Sequence, residues 1–394
     1  MTARIDDWDD ALRGCIAITG CATYGIGDAG GQTDLEVCAH AIHGAIADAG
    51  LSCDEIDGFM SAGLSSSMWV VKLAEYVGIR PRFSDSTQIG GAAFVAHLQI
   101  AAAAIRAGLC SNIVIAYGAT PRGGKSVSAT SPARAAMDPH PFEDPFRPFN
   151  PPTSYALAAM RHMHQYGTTR EQLAAVAVSA RQWANLNPEA FRKGELSIED
   201  VLGAKQVSSP FTVHDCCLVT DGAGAIVVRA ADAASDGPAD PVYVLGTAVA
   251  HYHRQISCMA DLTVTAARET GRSALARAGV SRSEIDVLQL YDAFTINPVL
   301  FLEDLGFCEK GEGGAFVADG RIAPGGALPV NTNGGGLSCV HPGMYSMFAL
   351  IEAVRQLRGA CGPRQVTGAE IALVHGNGGV LSAQATTILS KERQ

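Results

Sequence analysis

The stretch AGLSCDEIDGFMSA, residues 49–62, returns at residues 278–294 as AGVSRSEIDVLQLYDAF. The copies share Ala-Gly, a Ser two residues on and Glu-Ile-Asp, at an offset of 229 residues. Each follows an Ala-rich helical stretch, Ala39 to Ala47 and Thr263 to Ala278. Each reads as a helix ending at Gly, a Ser opening a new turn, and a strand after Ile-Asp. A second pair of segments supports the first. STQIGGAAFVAHLQIAAAAIRAG (86–108) precedes the strand NIVIAYG (112–118), and NTNGGGLSCVHPGMYSMFALIEAVRQLRG (331–359) precedes EIALVHGNGG (370–379). Both are a polar turn with glycines, a long helix and a β-branched strand. Such alternation predicts α/β layers with buried sheets. A two-copy repeat this long predicts two similar halves packed face to face, not a solenoid.

A chain of 394 residues has room for two such halves, and 47% hydrophobic residues predict a sizeable core. A net charge of −10 argues against a nucleic-acid footprint, which needs a basic stripe. It leaves room for anionic ligands at local arginines or helix N-termini. The 11 cysteines include no C-x-x-C pair, and Cys216 and Cys217 are too close to chelate a metal comfortably. Buried reduced thiols in a cytoplasmic protein, with no metal site, are expected. The start, MTARIDDWDD, is acidic and lacks an apolar signal core, so no secretory segment is expected. The apolar run Ala92 to Leu109 is interrupted by His97, Gln99 and Arg106, which reads as a buried helix and not a membrane span.

Between the halves the pattern changes. Residues 119–152 are rich in Pro, Gly, Ser and Asp and read as irregular loop. Helices are predicted over Tyr155–Tyr166 and over Arg170–Asn187, the latter behind a Thr168-Thr169 cap with Glu171 following. DGAGAIVVRAA, from Asp221, reads as a turn feeding a buried strand that completes the first half. The expected division is residues 1–118 plus 211–235 for the first half, 119–210 for an insertion covering a site, and 236–394 for the second half.

DGAGAIVV, YDAF, GGGLSCVHPG and HGNGG, in that order on an internal repeat, resemble the thiolase superfamily, and within it the sterol-carrier-protein type, over roughly residues 14–390. The resemblance implies an α/β thiolase fold: duplicated βαβαβαββ halves in a five-layered αβαβα arrangement with a loop insertion that helps bind coenzyme A. It also implies a homodimer joined through the sheet edge, and two central helices aiming their N-termini at a thioester. Helix-start N–H groups carry positive partial charge, which suits an oxyanion formed at a thioester carbonyl.

The chain departs from that family where the chemistry is done. The resemblance places the nucleophilic cysteine at Gly91, beside Gly90, and neither has a side chain. The second cysteine position falls on His375, and the box resembling HDCF reads YDAF, with Tyr291 in the His or Asn place and Ala293 in the Cys place. Without a thiolate there is no acyl transfer by ping-pong chemistry. Cys339, two residues before His341, is the candidate substitute thiol, with a packed loop thiol as the alternative.

What remains is machinery for an enolate. The resemblance gives His341 the hydrogen bond to the thioester oxygen, and Tyr291 supplies a phenol beside it. One such donor is worth about 3 kcal/mol whether a carbon–carbon bond forms or breaks. A base could then take the proton of a 3-hydroxyl and release a carbonyl by retro-aldol cleavage. Candidates are Tyr291, Asp292, Tyr345, His375, and Tyr252 with His251 and His253 in HYHRQIS. Each has a structural alternative: a core tyrosine for Tyr291, a turn cap for Asp292, packing for Tyr345 on a helix beginning near Pro342. His97, mid-helix, reads as a core histidine. Gly90, Gly91, Gly378 and Gly379 would allow close approach of ligand. Arg82, Arg122 and Arg147 are candidates for coenzyme A phosphates or a solvated surface.

The YDAF box is similar to that of thiolase-like steroid side-chain aldolases. That likeness implies a reliance on tyrosines and a small partner protein with an OB-fold and a zinc ribbon. The expected function is therefore a carbon–carbon lyase acting on a bulky 3-hydroxyacyl-CoA, with coenzyme A as part of the substrate and no permanently bound cofactor. The alternatives are an acetyl-CoA acetyltransferase using Cys339 or another thiol, and a non-catalytic acyl-CoA-binding subunit.

Overall fold

Both copies of the repeated stretch fold alike, for the same local reasons. Gly50 and Gly279 each end a helix in the left-handed region, at φ +68°. The amide and hydroxyl of Ser52 both donate to Glu55 Oε2, at 2.9 and 2.8 Å, and those of Ser281 to Glu284 Oε2, at 2.8 and 2.7 Å. These are capping boxes on one-turn 3₁₀ helices. Asp57 Oδ1 then accepts the amides of Ser111 and Asn112, and Asp286 Oδ2 those of Glu370 and Ile371. The Asp of Glu-Ile-Asp thus clamps the entry of the next parallel strand in each half.

The computed structural model describes residues 12–63, 67–124 and 140–393. The acidic start and residues 125–139 of the Pro/Gly/Ser-rich stretch lie outside the described residues. The first half comprises β1 (Ile16–Gly27), α1 (Asp34–Asp48), β2 (Gly58–Ser61), α2 (Trp69–Tyr76), β3 (Phe83–Asp85), α3 (Ala93–Arg106) and β4 (Asn112–Ala119). After it come α4 (Pro152–Tyr166), α5 (Arg170–Leu186), α6 (Ile198–Gly203) and a ribbon of β5 (Gln206–Ser208) and β6 (Phe211–Thr212). Then follow β7 (Asp221–Ala230), β8 (Val242–His251), α7 (Ala267–Ala278), β9 (Val287–Leu290), α8 (Ile296–Asp304), α9 (Gly313–Ala318), α10 (Ser346–Leu357), β10 (Ile371–Gly378) and β11 (Ala383–Ser390).

The strand pairing repeats as the sequence does. In the first half β2 runs parallel to β3 and β4, β7 antiparallel to β4, and β1 antiparallel to β7. In the second, β9 runs parallel to β10 and takes a parallel bridge from Val330, β11 is antiparallel to β10, and β8 antiparallel to β11. The halves meet edge to edge at Ala17↔Tyr243 and Ile18↔Val242. α1 packs on β1, β4 and β7, and α7 on β8 and β11. α3 and α10 pack on each other and on strands of both halves. The strands form one nine-stranded sheet, in the order β3-β2-β4-β7-β1-β8-β11-β10-β9, whose two halves both pack on α3 and α10, giving the layers helix, sheet half, central helices, sheet half, helix. Gly20 and Gly246 let the outer helices approach: a Cβ on either would collide with the carbonyl of Ala45 or Ala274. No described helix is long and apolar enough to cross a membrane.

Three local expectations shift. α5 is capped by Thr169 with Gln172, not Glu171, completing the box. β7 begins at Asp221 itself, where a turn was expected; Asp221 Oδ2 accepts the amide of Ala29, and its Oδ1 the amides of Arg122 and Gly123. α10 begins at Ser346, not near Pro342, because Gly343 turns left-handed at φ +101° and Tyr345 is the N-cap.

Candidate active site

The two central helices start side by side. Gly90, at φ +63°, bends the chain into a 3₁₀ turn, Gly90–Ala92, that leads into α3. The Ser346 hydroxyl, at the first residue of α10, donates to the Gly91 carbonyl and ties the two starts together. A Cβ on Gly91 would lie 2.8 Å from Tyr291 Cζ and 2.7 Å from the Asn377 carbonyl oxygen. The Tyr291 ring therefore fills the space that a side chain at residue 91 would need.

Tyr291 leaves the end of β9 and meets two other candidates edge-on. His341 lies at 5.7 Å between ring centroids and 88° between planes, and Tyr345 at 5.9 Å and 84°. The His341 amide donates to Thr220 Oγ1 at 2.9 Å, while its buried Nε2 has no hydrogen-bond partner among the described residues. Burial pulls the imidazole down to about 4, so it is neutral at physiological pH. Tyr345 Oη donates to Asn333 Oδ1 at 2.8 Å. Burial holds both phenols well above their ordinary range, so each stays a proton donor. An unpartnered buried imidazole nitrogen beside protonated phenols can stabilise developing negative charge on a ligand oxygen.

Asp292 is engaged elsewhere. Its Oδ1 accepts the Gly336 amide at 2.6 Å and its Oδ2 the Leu337 amide at 3.3 Å. It holds the π turn Gly335–Cys339, which leads into His341. Burial raises its carboxyl to about 7, against the pull of those amides. Cys339 lies in that turn with its sulfur accepting from Asn187 Nδ2 at 3.5 Å, and burial pushes the thiol far above neutrality. It is a packed thiol and not a nucleophile.

His375 is sealed in a one-way hydrogen-bond chain. Nε2 meets Gln384 Oε1 and Nδ1 meets Thr386 Oγ1, both at 2.8 Å. Burial pulls the ring down to about 4. A carbonyl oxygen only accepts, so Nε2 carries the proton and Nδ1 accepts from the threonine. The chain continues from Gln384 Nε2 to Asn377 Oδ1, from Asn377 Nδ2 to Tyr155 Oη, and from Tyr155 Oη to the Gly379 carbonyl, each at 2.8 Å. It ends at the Gly378–Gly379 turn, whose backbone lies against Gly90.

The remaining candidates are not brought into this cluster. Tyr252 is exposed, its hydroxyl bonded to Glu269 on α7. His253 Nε2 bonds the Val380 carbonyl. His97 is buried on α3, 3.5 Å from Asp85. Arg82 and Arg147 are exposed, and Arg122 lies over the Phe191 ring at 4.7 Å. Sequence reasoning missed Tyr155, Asn333, Thr220 and Asn377, whose partners lie tens to hundreds of residues away. It also missed Cys217, close enough with Tyr155 to push the Tyr291 phenol further up.

Residues 248–391 match the thiolase C-terminal domain-like family. An acetyl-CoA acetyltransferase of Methanothermobacter thermautotrophicus is 34% identical over 95% of this chain and 99% of its own. A 17-hydroxy-3-oxo-4-pregnene-20-carboxyl-CoA lyase of Mycobacterium tuberculosis is 33% identical over 94% and 98%. A solved Ltp2-ChsH2(DUF35) aldolase superposes with a TM-score of 0.87 at 30% identity, over 97% of this chain and 99% of that one. Overall identity barely separates the transferase from the lyase, so the choice between them falls to the residues at the helix starts.

Proposed function

The chain belongs to the thiolase superfamily, and on that premise we propose that it is an aldolase, cleaving a bulky 3-hydroxyacyl-CoA, of the steroid side-chain kind, through an enolate and without a covalent intermediate. One observation carries this reading: Tyr291 fills the nucleophile's place at Gly91, beside a His341 Nε2 that has no partner. Likeness to the lyase and to the solved aldolase supports it.

The chemistry follows from the three rings. In its Nε2–H tautomer His341 donates to the thioester oxygen, and the Tyr291 hydroxyl donates beside it. The C2–C3 bond breaks, its electron pair passing to the thioester as an enolate, and C3 becomes a ketone or aldehyde. The proton leaves the 3-oxygen and one is delivered to C2. Burial disfavours a standing phenolate. With Tyr291 holding the enolate oxygen, we therefore assign Tyr345 the shuttle: its hydroxyl turns from Asn333, delivers its proton to C2 and accepts the proton of the 3-oxygen. Asp292 positions the turn bearing His341, and His375 orients Asn377 and Tyr155. Gly90, Gly91, Gly378 and Gly379, expected to admit ligand, instead let the protein's own backbone and the Tyr291 ring pack together beside the site, and Tyr252 has no part in the step.

In this reading the described residues of the two halves, 1–118 with 211–235 and 236–394, form the frame, and those of the insertion 119–210 cover the site, Tyr155 meeting Asn377. A homodimer paired through the free edge of β3 fits the exposed end of the sheet. A DUF35-type OB-fold and zinc-ribbon partner fits the exposed Phe142, Phe146 and Phe149, which lead into α4. Coenzyme A enters as part of the substrate, with no permanent cofactor. The test is incubation of pure protein, with and without such a partner, with 3-hydroxyacyl-CoA esters and assay of free carbonyl product. Cleavage supports the reading, and its absence from every ester in both arms refutes it. The acetyltransferase reading is favoured only by overall identity, and it needs a thiol that the helix starts do not offer.

A further inference from the structure

We propose that a cavity between α5 and the Gly335–Cys339 turn binds a phosphate-class oxyanion. The cavity has a volume of about 90 Å³ and is lined by Arg181, Arg192, His214 and Ser338, with Leu196 and Leu218 among its apolar walls. Arg181 is 8% exposed. Its Nε donates to Ser338 Oγ at 3.1 Å, and it makes no ion pair with any described residue. Arg192, whose guanidinium lies 5.9 Å from the Phe191 ring, likewise has no carboxylate among the described residues.

A buried cation without a counter-charge is costly, and a second guanidinium nearby adds to the cost. Burial and Arg192 together depress the Arg181 guanidinium, and burial, Arg181 and Arg192 pull the His214 imidazole down. The acids that act on His214 are committed elsewhere: Asp215 to Arg170 at 2.7 Å, and Asp200 Oδ2 accepts from the amide and hydroxyl of Ser197, both at 2.9 Å. What the cavity lacks is an anion. Two arginine forks and an imidazole offer more donors than one carboxylate can use, and they suit the several oxygens of a phosphate or diphosphate. Ser338 belongs to the turn that Asp292 holds and that leads to His341. An anion on Arg181 would thus brace the segment that presents the oxyanion donor.

Assigning that anion to the phosphates of a coenzyme A thioester rests on the aldolase reading; the anion site itself does not. The experiment is calorimetric titration of the full chain with inorganic pyrophosphate, coenzyme A and pantetheine, repeated on R192Q and R181Q. R192Q alters an exposed side chain and keeps the test valid where R181Q fails to fold. Pyrophosphate binding is expected to weaken about tenfold or more in each folded variant, the size of one charge-assisted hydrogen bond. Parallel loss for coenzyme A, with pantetheine unchanged, identifies the substrate's phosphates. Loss for pyrophosphate alone identifies a separate oxyanion and keeps the site. If coenzyme A binds neither protein while pyrophosphate responds, the aldolase reading fails and the site stands. Pyrophosphate that does not bind, or binds R192Q as tightly as the unaltered protein, overturns the inference.

Discussion

At residue 91 the backbone passes so close to the Tyr291 ring that only a hydrogen fits on its Cα. A methyl group there is overpacking, with an expected cost of about 1–3 kcal/mol. G91A should lower the free energy of unfolding by that amount, and Y291A should remove the part of the penalty due to the ring in a double-mutant cycle, the clash with the Asn377 carbonyl remaining. Additive effects would show that ring and glycine do not share one space. Y291F and H341A each remove one donor to the enolate oxygen, so each should lower kcat by about 10²–10³ with little change in KM. Steady-state kinetics on a cleaved ester check this. That residue 91, where the resemblance places the nucleophile, carries no side chain was legible in the sequence. What fills its place was not, since nothing in the YDAF box says that residue 291 lies across from residue 91.

Among the elements, the repeat makes a comparison within one molecule. Asp57 and Asp286 each accept two strand-entry amides at the same point of their halves. D57A and D286A should each cost about 1 kcal/mol, from charge-assisted hydrogen bonds exchanged for water, and chemical denaturation compares them directly. A large cost at one site only would mean the halves are alike in outline but not in what holds them. The pattern of glycine stop, serine turn and aspartate clamp is local, so it could be read from residues a few positions apart. The start of α10 could not, because the helical spacing of His341 and Tyr345 is broken by a left-handed Gly343. The chain from His375 to Tyr155 was also hidden: Asn377 and Tyr155 meet only after the insertion folds over the second half.

Across the whole molecule, burial of ionisable groups ties stability to pH. His375 is held near 4 in the fold against 6.5 for the free side chain. Above pH 6.5 it is neutral in both states and costs nothing. As pH falls from 6.5 towards 4 the unfolded chain takes up a proton that the fold refuses, and stability drops. His375→Gln removes that term. Between pH 6.5 and 4 the unaltered protein should therefore lose about 3 kcal/mol more than the variant, read from urea denaturation at both values. Equal losses would mean that the imidazole protonates in place. The layered architecture was legible from two-fold repetition and hydrophobic periodicity. The cationic cavity was not, since Arg181 and Ser338 are 157 residues apart and only the packing of α5 on the π turn joins them.

Chemistry without a bond to the enzyme is the claim on which the rest depends. The most direct measurement is intact-mass spectrometry of the protein quenched while it turns over a 3-hydroxyacyl-CoA, with the carbonyl product assayed in the same sample. The account predicts product together with an unmodified chain at 40.9 kDa. A chain carrying an acyl group on any of its thiols, at a level that rises and falls with turnover, would contradict it.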